Sequence, residues 1–284
     1  MIRGQGPESS FALPGGWLLG DALDAGQRCE TAVLRPLTGH EEEWLAQHRG
    51  APSATIASQI LDACVLRLDD REPPRDFARR MLVGDRDYLM LQLRRLMNGD
   101  KIQAIMACPA CSAKMDVDVD AGQIPVEGIR TYDGAHELAL QTGARVRARN
   151  IRFRLPTGGD QEAVVGLPVD AAGDELLRRC LLEPCDPPLD DDEKAAVIAA
   201  MEERAPRVEI ELELTCPECA QRFLTPFDTT TFFLSEMRIS AAQLLREVHT
   251  LAFYYHWSES DILNLTRDRR RSYLALLNDM LRQE

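Results

Sequence analysis

Two short segments of this chain carry residue types that bind metal ions, namely Cys108-Pro109-Ala110-Cys111 and Cys216-Pro217-Glu218-Cys219. A Cys-x-x-Cys turn places two thiolates at the separation that a tetrahedral Zn²⁺ ion with Zn–S bonds of about 2.3 Å requires. Two such turns complete a four-sulfur site with no position open for a substrate. The spacing therefore predicts one structural zinc ion held by all four cysteines.

The elements that must position these turns are predicted to be β-hairpins. Residues 101–107 and 114–120 flank the first turn, and the second of these segments alternates strictly between polar and apolar side chains. Residues 208–214 and 222–227 flank the second turn in the same way. Two hairpin knuckles that face each other across one metal ion form a zinc ribbon, although about a hundred residues separate them in this sequence.

Two other uses of the cysteine pairs agree less well with the sequence. Disulfides need an oxidising compartment, and Met1 to Pro7 do not form an apolar signal segment. Redox-active pairs open a helix after a strand, and neither pair is predicted to do so. The other four cysteines lack ligand spacing: we expect Cys64 and Cys180 to be small core residues and treat Cys29 and Cys185 as structural.

Length and charge narrow the class of protein. The 284 residues suffice for more than one folding unit, and no apolar run approaches the roughly 20 residues that span a membrane. We therefore expect a soluble, cytoplasmic protein with no membrane partner. The formal net charge of −13 disfavours nucleic acid as a partner, because phosphate contacts use a surplus of lysine and arginine.

We predict an α+β fold that is mainly helical, with a four-cysteine zinc ribbon and an inserted small α/β subdomain. Apolar spacing predicts helices at 53–68, 85–97 and 267–281, and the capping box from Thr38 to Glu41 predicts a short helix before them. The predicted units are a mobile arm at 1–16, an N-terminal helical region at 17–99, the zinc ribbon at 100–123 and 207–228, the inserted subdomain at 124–206, and a C-terminal helical region at 229–284.

The C-terminal region concentrates aromatic side chains at residues 253–257. Tyrosine, tryptophan and arginine anchor protein interfaces, so this corner is a candidate docking surface. Its candidate partner-binding residues are Tyr254, Tyr255, Trp257, Arg270 and Tyr273. A hydrophobic corner between helices explains the same pattern, and the sequence does not decide between the two.

No segment of the sequence carries a catalytic signature. There is no glycine-rich phosphate loop, no nucleophile elbow and no His-Glu-x-x-His segment. We therefore expect a protein that is not an enzyme. A hydrolase with a hidden site would instead show carboxyl groups of strongly shifted pKa in a deep pocket.

Several blocks of the chain resemble a family of baseplate hub and assembly proteins from contractile phage tails and phage-derived extracellular contractile injection systems. The blocks are Leu82 to Leu96 with Gly99-Asp100 and the first knuckle, Phe153 to Asp160, Tyr255 to Ser258, Ile262 to Leu265, and Arg271 to Leu274. The resemblance implies a hub or wedge component, or an assembly factor, that binds other baseplate proteins and carries no catalytic residues.

The expected function is therefore that of a structural or assembly protein with a zinc-stabilised scaffold. The alternative is a nucleic-acid-associated accessory factor with a zinc ribbon, which should concentrate lysine and arginine beside the knuckles. Instead, Asp116, Asp118 and Asp120 follow the first knuckle, and Glu211 and Glu213 precede the second.

Overall fold

The computed structural model describes residues 8–18, 28–129, 134–141, 148–208, 211–237 and 240–282. The helices in these ranges are α1 (Gly39–Gln47), α2 (Ser53–Cys64), α3 (Phe77–Arg80), α4 (Val83–Asn98), α5 (Gly158–Ala163), α6 (Val169–Cys180), α7 (Asp191–Arg204), α8 (Thr229–Glu236), α9 (Ala241–Tyr255), α10 (Glu259–Leu263) and α11 (Arg267–Leu281). The strands are β1 (Ser9–Leu18), β2 (Arg28–Leu34), β3 (Val65–Leu68), β4 (Lys101–Ala107), β5 (Lys114–Asp120), β6 (Val126–Glu127), β7 (His136–Gln141), β8 (Ala148–Phe153), β9 (Arg207–Val208), β10 (Glu211–Thr215) and β11 (Arg222–Pro226).

Strands take a larger share of this structure than the sequence indicated, and the expected mainly helical fold is wrong. Among the described residues, helix accounts for 48% and strand for 26%, so the fold is mixed α/β. Strand β1 supplies part of the difference, because it lies largely within the segment expected to be a mobile arm. Glycine, proline and serine favour flexibility there, but the backbone pairs with β2 from Ser9 to Ala12 and again, after a register shift, at Trp17 and Leu18. Residues 1–7 of that segment lie outside the described residues.

The N-terminal core is built on the antiparallel sheet β1-β2-β3. Buried side chains of this sheet, of α2, α4 and α8 share one apolar cluster, which includes Trp17, Leu34, Ile60, Leu89 and Phe233. Helix α2 ends at Cys64, four residues before the predicted end. The next residues form β3 because their backbone pairs with β2, an interaction that the local helical spacing does not report.

Helix α1 begins where the capping box predicts. The backbone N–H of Thr38 donates to the Glu41 carboxylate at 2.7 Å, and the Thr38 hydroxyl contacts the same group. Helix α4 is buried along much of its length, with Leu89, Met90 and Leu93 fully covered. Gly99 and Asp100 connect this helix to the β4–β5 hairpin, so the first knuckle is joined to the buried core by a short link.

Between the knuckles, β7 and β8 form an antiparallel hairpin on which α6 and α7 pack. The shared apolar cluster includes Phe153, Leu177, Cys180, Val197 and Met201. Strands β6 and β9 pair where this segment leaves and rejoins the rest of the chain. Its two ends are therefore held side by side, which brings the second knuckle back toward the first.

The C-terminal helices α9, α10 and α11 surround their own apolar cluster and join α1 through buried ion pairs. Glu42 of α1 pairs with Arg267 and Arg270 of α11, and Arg270 also pairs with Glu247 of α9. Glu42 and Arg270 are fully buried. Removing one partner from such a network typically costs about 3–5 kcal/mol, because an uncompensated charge stays buried.

Candidate metal centre

The two knuckles have the same backbone geometry. In the first, the N–H of Ser112 donates to the carbonyl of Cys108 at 2.9 Å, and in the second the N–H of Ala220 donates to the carbonyl of Cys216 at the same distance. Ser112 and Ala220 both adopt left-handed backbone angles, with φ of 59° and 58°. Each turn is tight enough to aim two sulfurs at one point, although neither position is a glycine.

The four predicted ligand residues converge on that point. Cys108 Sγ lies 3.7 Å from Cys219 Sγ, and Cys111 Sγ lies 3.6 Å from Cys216 Sγ. All four sulfurs lie within 4.8 Å of one another. Four Zn–S bonds of about 2.3 Å at tetrahedral angles separate sulfurs by about 3.8 Å, whereas a disulfide needs about 2.05 Å. The donor set and its spacing therefore fit a four-coordinate metal ion.

The sulfurs also affect one another electrostatically. The backbone N–H of Cys111 donates to the Cys108 sulfur, which is the main cause that lowers the pKa of the Cys108 thiol to about 7. The Ala113 N–H lowers the pKa of the Cys111 thiol, but hydrogen bonds with the Cys219 and Cys216 sulfurs outweigh it and raise this pKa to about 12. A divalent cation bound at the centre would supply the positive charge that four thiolates require.

Apolar side chains support the cluster from the inside of the ribbon. Cys108 and Cys216 are buried against the inward faces of the hairpins, which contribute Met115, Val117 and Phe223. Cys111 and Cys219 are exposed. Among the described residues, this is the one group of three or more histidine, cysteine, aspartate or glutamate side chains whose donor atoms meet closely enough to hold a metal ion.

The remaining four cysteines lie outside this group. Cys29, Cys64 and Cys180 are buried and Cys185 is partly buried. Burial raises the pKa of the Cys64 thiol to about 12 and that of the Cys180 thiol to about 11, which suppresses the thiolate form. These two side chains sit in the apolar clusters of the core and of the insertion.

The structure brings three of the candidate partner-binding residues together. The Tyr255 and Trp257 rings stack with centroids 5.0 Å apart, and Tyr273 of α11 meets the Trp257 ring edge-on at 4.8 Å. All three are partly exposed, and Tyr254 is exposed. The aromatic corner is therefore both a packed contact between α9 and α11 and a surface that solvent reaches.

Arg270 does not belong to that surface. Its side chain is fully buried and donates to Glu42, to Glu247 and to the carbonyl of Leu265. The arginine run at 269–271 resembles a solvated patch in sequence, but the helical turn rotates its middle residue inward. Arg270 is therefore an internal anchor of α11, and the expectation that it touches a partner is corrected.

Five exposed apolar residues on the same helices were absent from the candidate set: Leu245 and Phe253 of α9, and Leu276, Met280 and Leu281 of α11. Leu276 and Met280 follow Tyr273 by three and seven residues, the spacing of one helix face. That spacing was a usable signal. It was obscured because a second apolar face of α11, including Leu277, packs inward.

Fold and site together define a mixed α/β protein with a four-cysteine cluster that can hold a metal ion. The chain belongs to the family of T4 bacteriophage base plate proteins, whose family model matches residues 23–181. This match confirms the baseplate family expected from the sequence and indicates a structural baseplate protein. It includes the first knuckle and ends before the second. Curated proteins and solved structures gave no match. No helix in the described ranges has both the length and the apolar character to cross a membrane.

Proposed function

We propose that this chain is a non-enzymatic structural or assembly protein of the baseplate of a contractile tail or of a phage-derived contractile injection system. The observation that carries the proposal is the family match over residues 23–181. A baseplate is built from protein contacts, so its components need rigid surfaces rather than reactive groups. The chain would act in the cytoplasm, where such particles assemble, and would join a tail-like particle.

We assign one structural zinc ion to Cys108, Cys111, Cys216 and Cys219. The sulfur spacing and the all-cysteine donor set support zinc, because closed four-cysteine sites are typical of structural zinc. When bound, the ion supplies coordination energy on the order of 10 kcal/mol and no chemistry. It would tie the hairpin that precedes the insertion to the hairpin that follows it.

The proposed contact surface for other baseplate or hub subunits is the aromatic corner formed by Tyr254, Tyr255, Trp257 and Tyr273. Partly exposed aromatic rings held in fixed orientation contribute large contact area at low entropic cost. The ion network of Arg270 supports this surface from behind, because it fixes α11 against α9 and α1.

Particle assembly in the native host tests the proposal. Deletion of the gene should abolish intact, contractile particles in electron micrographs, and the wild-type gene supplied in trans should restore them. Tyr254→Ala combined with Trp257→Ala should restore them poorly. A matched variant, Ile198→Ala on the exposed side of α7, should restore them fully. Normal particle number and contraction in the deletion strain would refute a structural or assembly role.

A further inference from the structure

The outward faces of the two ribbon hairpins are equivalent. In each hairpin, the residue three positions before the first cysteine of the knuckle belongs to a cross-strand pair. Ile105 lies opposite Asp116 in the first hairpin, and Glu213 lies opposite Leu224 in the second. Each face thus presents one aliphatic side chain beside one carboxylate at the same register position in its hairpin. In the first hairpin the aliphatic residue lies on the strand before the knuckle and the carboxylate on the strand after it. In the second hairpin this order is reversed.

These aliphatic side chains point away from the ribbon core. Ile105 is 69% exposed and Leu224 is 63% exposed, while their neighbours Ala104 and Phe223 turn inward. A single exposed aliphatic residue is common on protein surfaces and needs no explanation. Two at matching positions, each on a face where the other exposed side chains are mostly polar, form a repeated feature.

Charges are also arranged alike on both faces. Lys114 and Arg222 stand three residues after the second cysteine of each knuckle, at the tip. Farther from the tip, the exposed carboxylates are Asp116, Asp118, Asp120, Glu211 and Glu213, and the exposed Lys101 stands opposite Asp120. None of these five carboxylates makes an ion pair with any described residue. A zinc ion with four thiolates would add a net charge of about −2 beside them.

The backbone of both hairpins is open as well. Across the described ranges, β4 pairs with β5 and β10 pairs with β11, and neither two-stranded sheet hydrogen-bonds to a further strand. Native proteins often protect such edges with charged side chains, and the carboxylates here are sufficient for that purpose. Protection does not require the exposed Ile105 and Leu224, which add apolar contact area to an acidic surface.

We propose that each of the outward faces of β4–β5 and β10–β11 docks a basic, extended segment of a neighbouring protein. Such a segment alternates lysine or arginine with aliphatic side chains, which meet the carboxylates and the one exposed aliphatic residue of that face in turn. Charge complementarity selects this occupant, because the anionic faces repel nucleic acid and acidic proteins. The inference rests on the proposed function for the presence of neighbouring subunits.

Peptide binding to the full-length, zinc-loaded protein tests the inference. The probe is a fluorescein-labelled peptide of about eight residues that alternates lysine and valine, a length that matches these strands. A peptide of the same composition, with lysines and valines in separate blocks, is the control. Fluorescence anisotropy should show about tenfold tighter binding of the alternating peptide.

Variants separate the apolar and the charged contributions. Ile105→Asp combined with Leu224→Asp should weaken binding of the alternating peptide by about tenfold, while Ile198→Asp on α7 should not. Asp118→Lys combined with Glu211→Lys should also weaken binding and reduce its dependence on salt. Metal content and circular dichroism should match the wild type, because all these side chains are exposed.

Two results would overturn the inference: equal binding of both peptides, or wild-type affinity in the Ile105 and Leu224 double variant. Tighter binding of a duplex oligonucleotide than of either peptide would overturn it too. If the deletion strain fails to assemble particles but the peptides do not discriminate, the proposed function stands and this docking surface is removed. The two failures are therefore distinguishable.

Discussion

At the scale of single residues, Asp85 is a carboxylic acid with no contact with solvent. It lies in the first turn of α4, and one of its oxygens accepts a hydrogen bond from the backbone N–H of Gly15 at 2.6 Å. The other oxygen is buried without a hydrogen-bond partner. Burial raises the pKa of this carboxyl group to about 7. The Gly15 N–H and the charge of Arg28 lower the same pKa, but by less than burial raises it.

We expect this group to make stability fall as the pH rises. In the unfolded chain the carboxyl group has a pKa of about 3.9, so between about pH 4 and 7 the folded state binds a proton that the unfolded state lacks. The free energy of unfolding then decreases by roughly 1.4 kcal/mol per pH unit in that window. Asp85→Asn cannot ionise and should remove this slope, as measured by urea unfolding from pH 5 to 8.

The matched control is Asp70→Asn, which makes the same chemical change at an exposed position before α3. It should leave the pH dependence of the wild type in place. The carboxyl group of Asp87 has a pKa raised to about 6 by burial and contributes below that pH in both proteins. A wild-type slope above pH 6 that persists in Asp85→Asn would show that Asp85 is ionised in the folded state.

Residue types and spacing predicted the convergence of the four cysteines better than they predicted the burial of Arg270 in the C-terminal region. Four cysteines in two Cys-x-x-Cys turns converge because the turn itself fixes the direction of the sulfurs. Arg270 could not be placed in this way. Whether an arginine in a helix faces water or two buried carboxylates depends on Glu42 and Glu247, which are distant in sequence.

At the scale of elements, Gly84 fixes how closely α4 approaches the chain that returns from the insertion. A Cβ atom at this position would overlap the backbone carbonyl of Pro206. Alanine favours helices over glycine by about 1 kcal/mol, but the clash forces α4 away from that segment. Gly84→Ala should therefore destabilise the protein by about 1–3 kcal/mol in urea unfolding.

Gly173→Ala is the matched control, because it makes the same substitution in helix α6 with no atom within 4 Å of the new Cβ. We expect it to stabilise the protein by about 0.5–1 kcal/mol. If both variants shift stability in the same direction and by similar amounts, the close approach of α4 to Pro206 is not a constraint.

Local patterns predicted the elements whose pairing partner is near in sequence. Strands β4 and β5 and helix α11 begin and end where alternation and helical spacing place them. Strands β1 and β3 depend on pairing with β2, and glycine content or helical spacing pointed elsewhere. Strand β7 was missed although its partner β8 is near in sequence, because only β8 carries the strong alternation of charged and apolar residues.

At the scale of the whole molecule, we expect one part of the chain to need the metal ion for its stability and another part to be stable without it. Elemental mass spectrometry should find one zinc per chain, which Cys111→Ser and Cys219→Ser lose and Cys185→Ser retains. On chelation, amide hydrogen exchange should accelerate in both ribbon hairpins, because two-stranded sheets are marginal alone. Amides of α2 and α4 should keep their protection.

Two results would contradict this view of the metal. One is protein purified under reducing conditions without zinc, and the other is retention of the metal by either cysteine variant. Loss of protection in α2 and α4 on chelation would show instead that the ion supports the N-terminal core. We expect the apolar cluster of that core to keep it folded without the ion.

The separation of the two knuckles in sequence sets an order of events during synthesis. After the first knuckle leaves the ribosome, about a hundred more residues must be added before the second knuckle appears. At about 5–20 residues per second this takes roughly 5–20 s. In that interval the nascent chain offers a metal ion only two of its four sulfurs. Only a chain whose insertion has been synthesised and has brought its two ends together can therefore offer all four sulfurs to one ion. A product truncated before Cys216 can never complete the site.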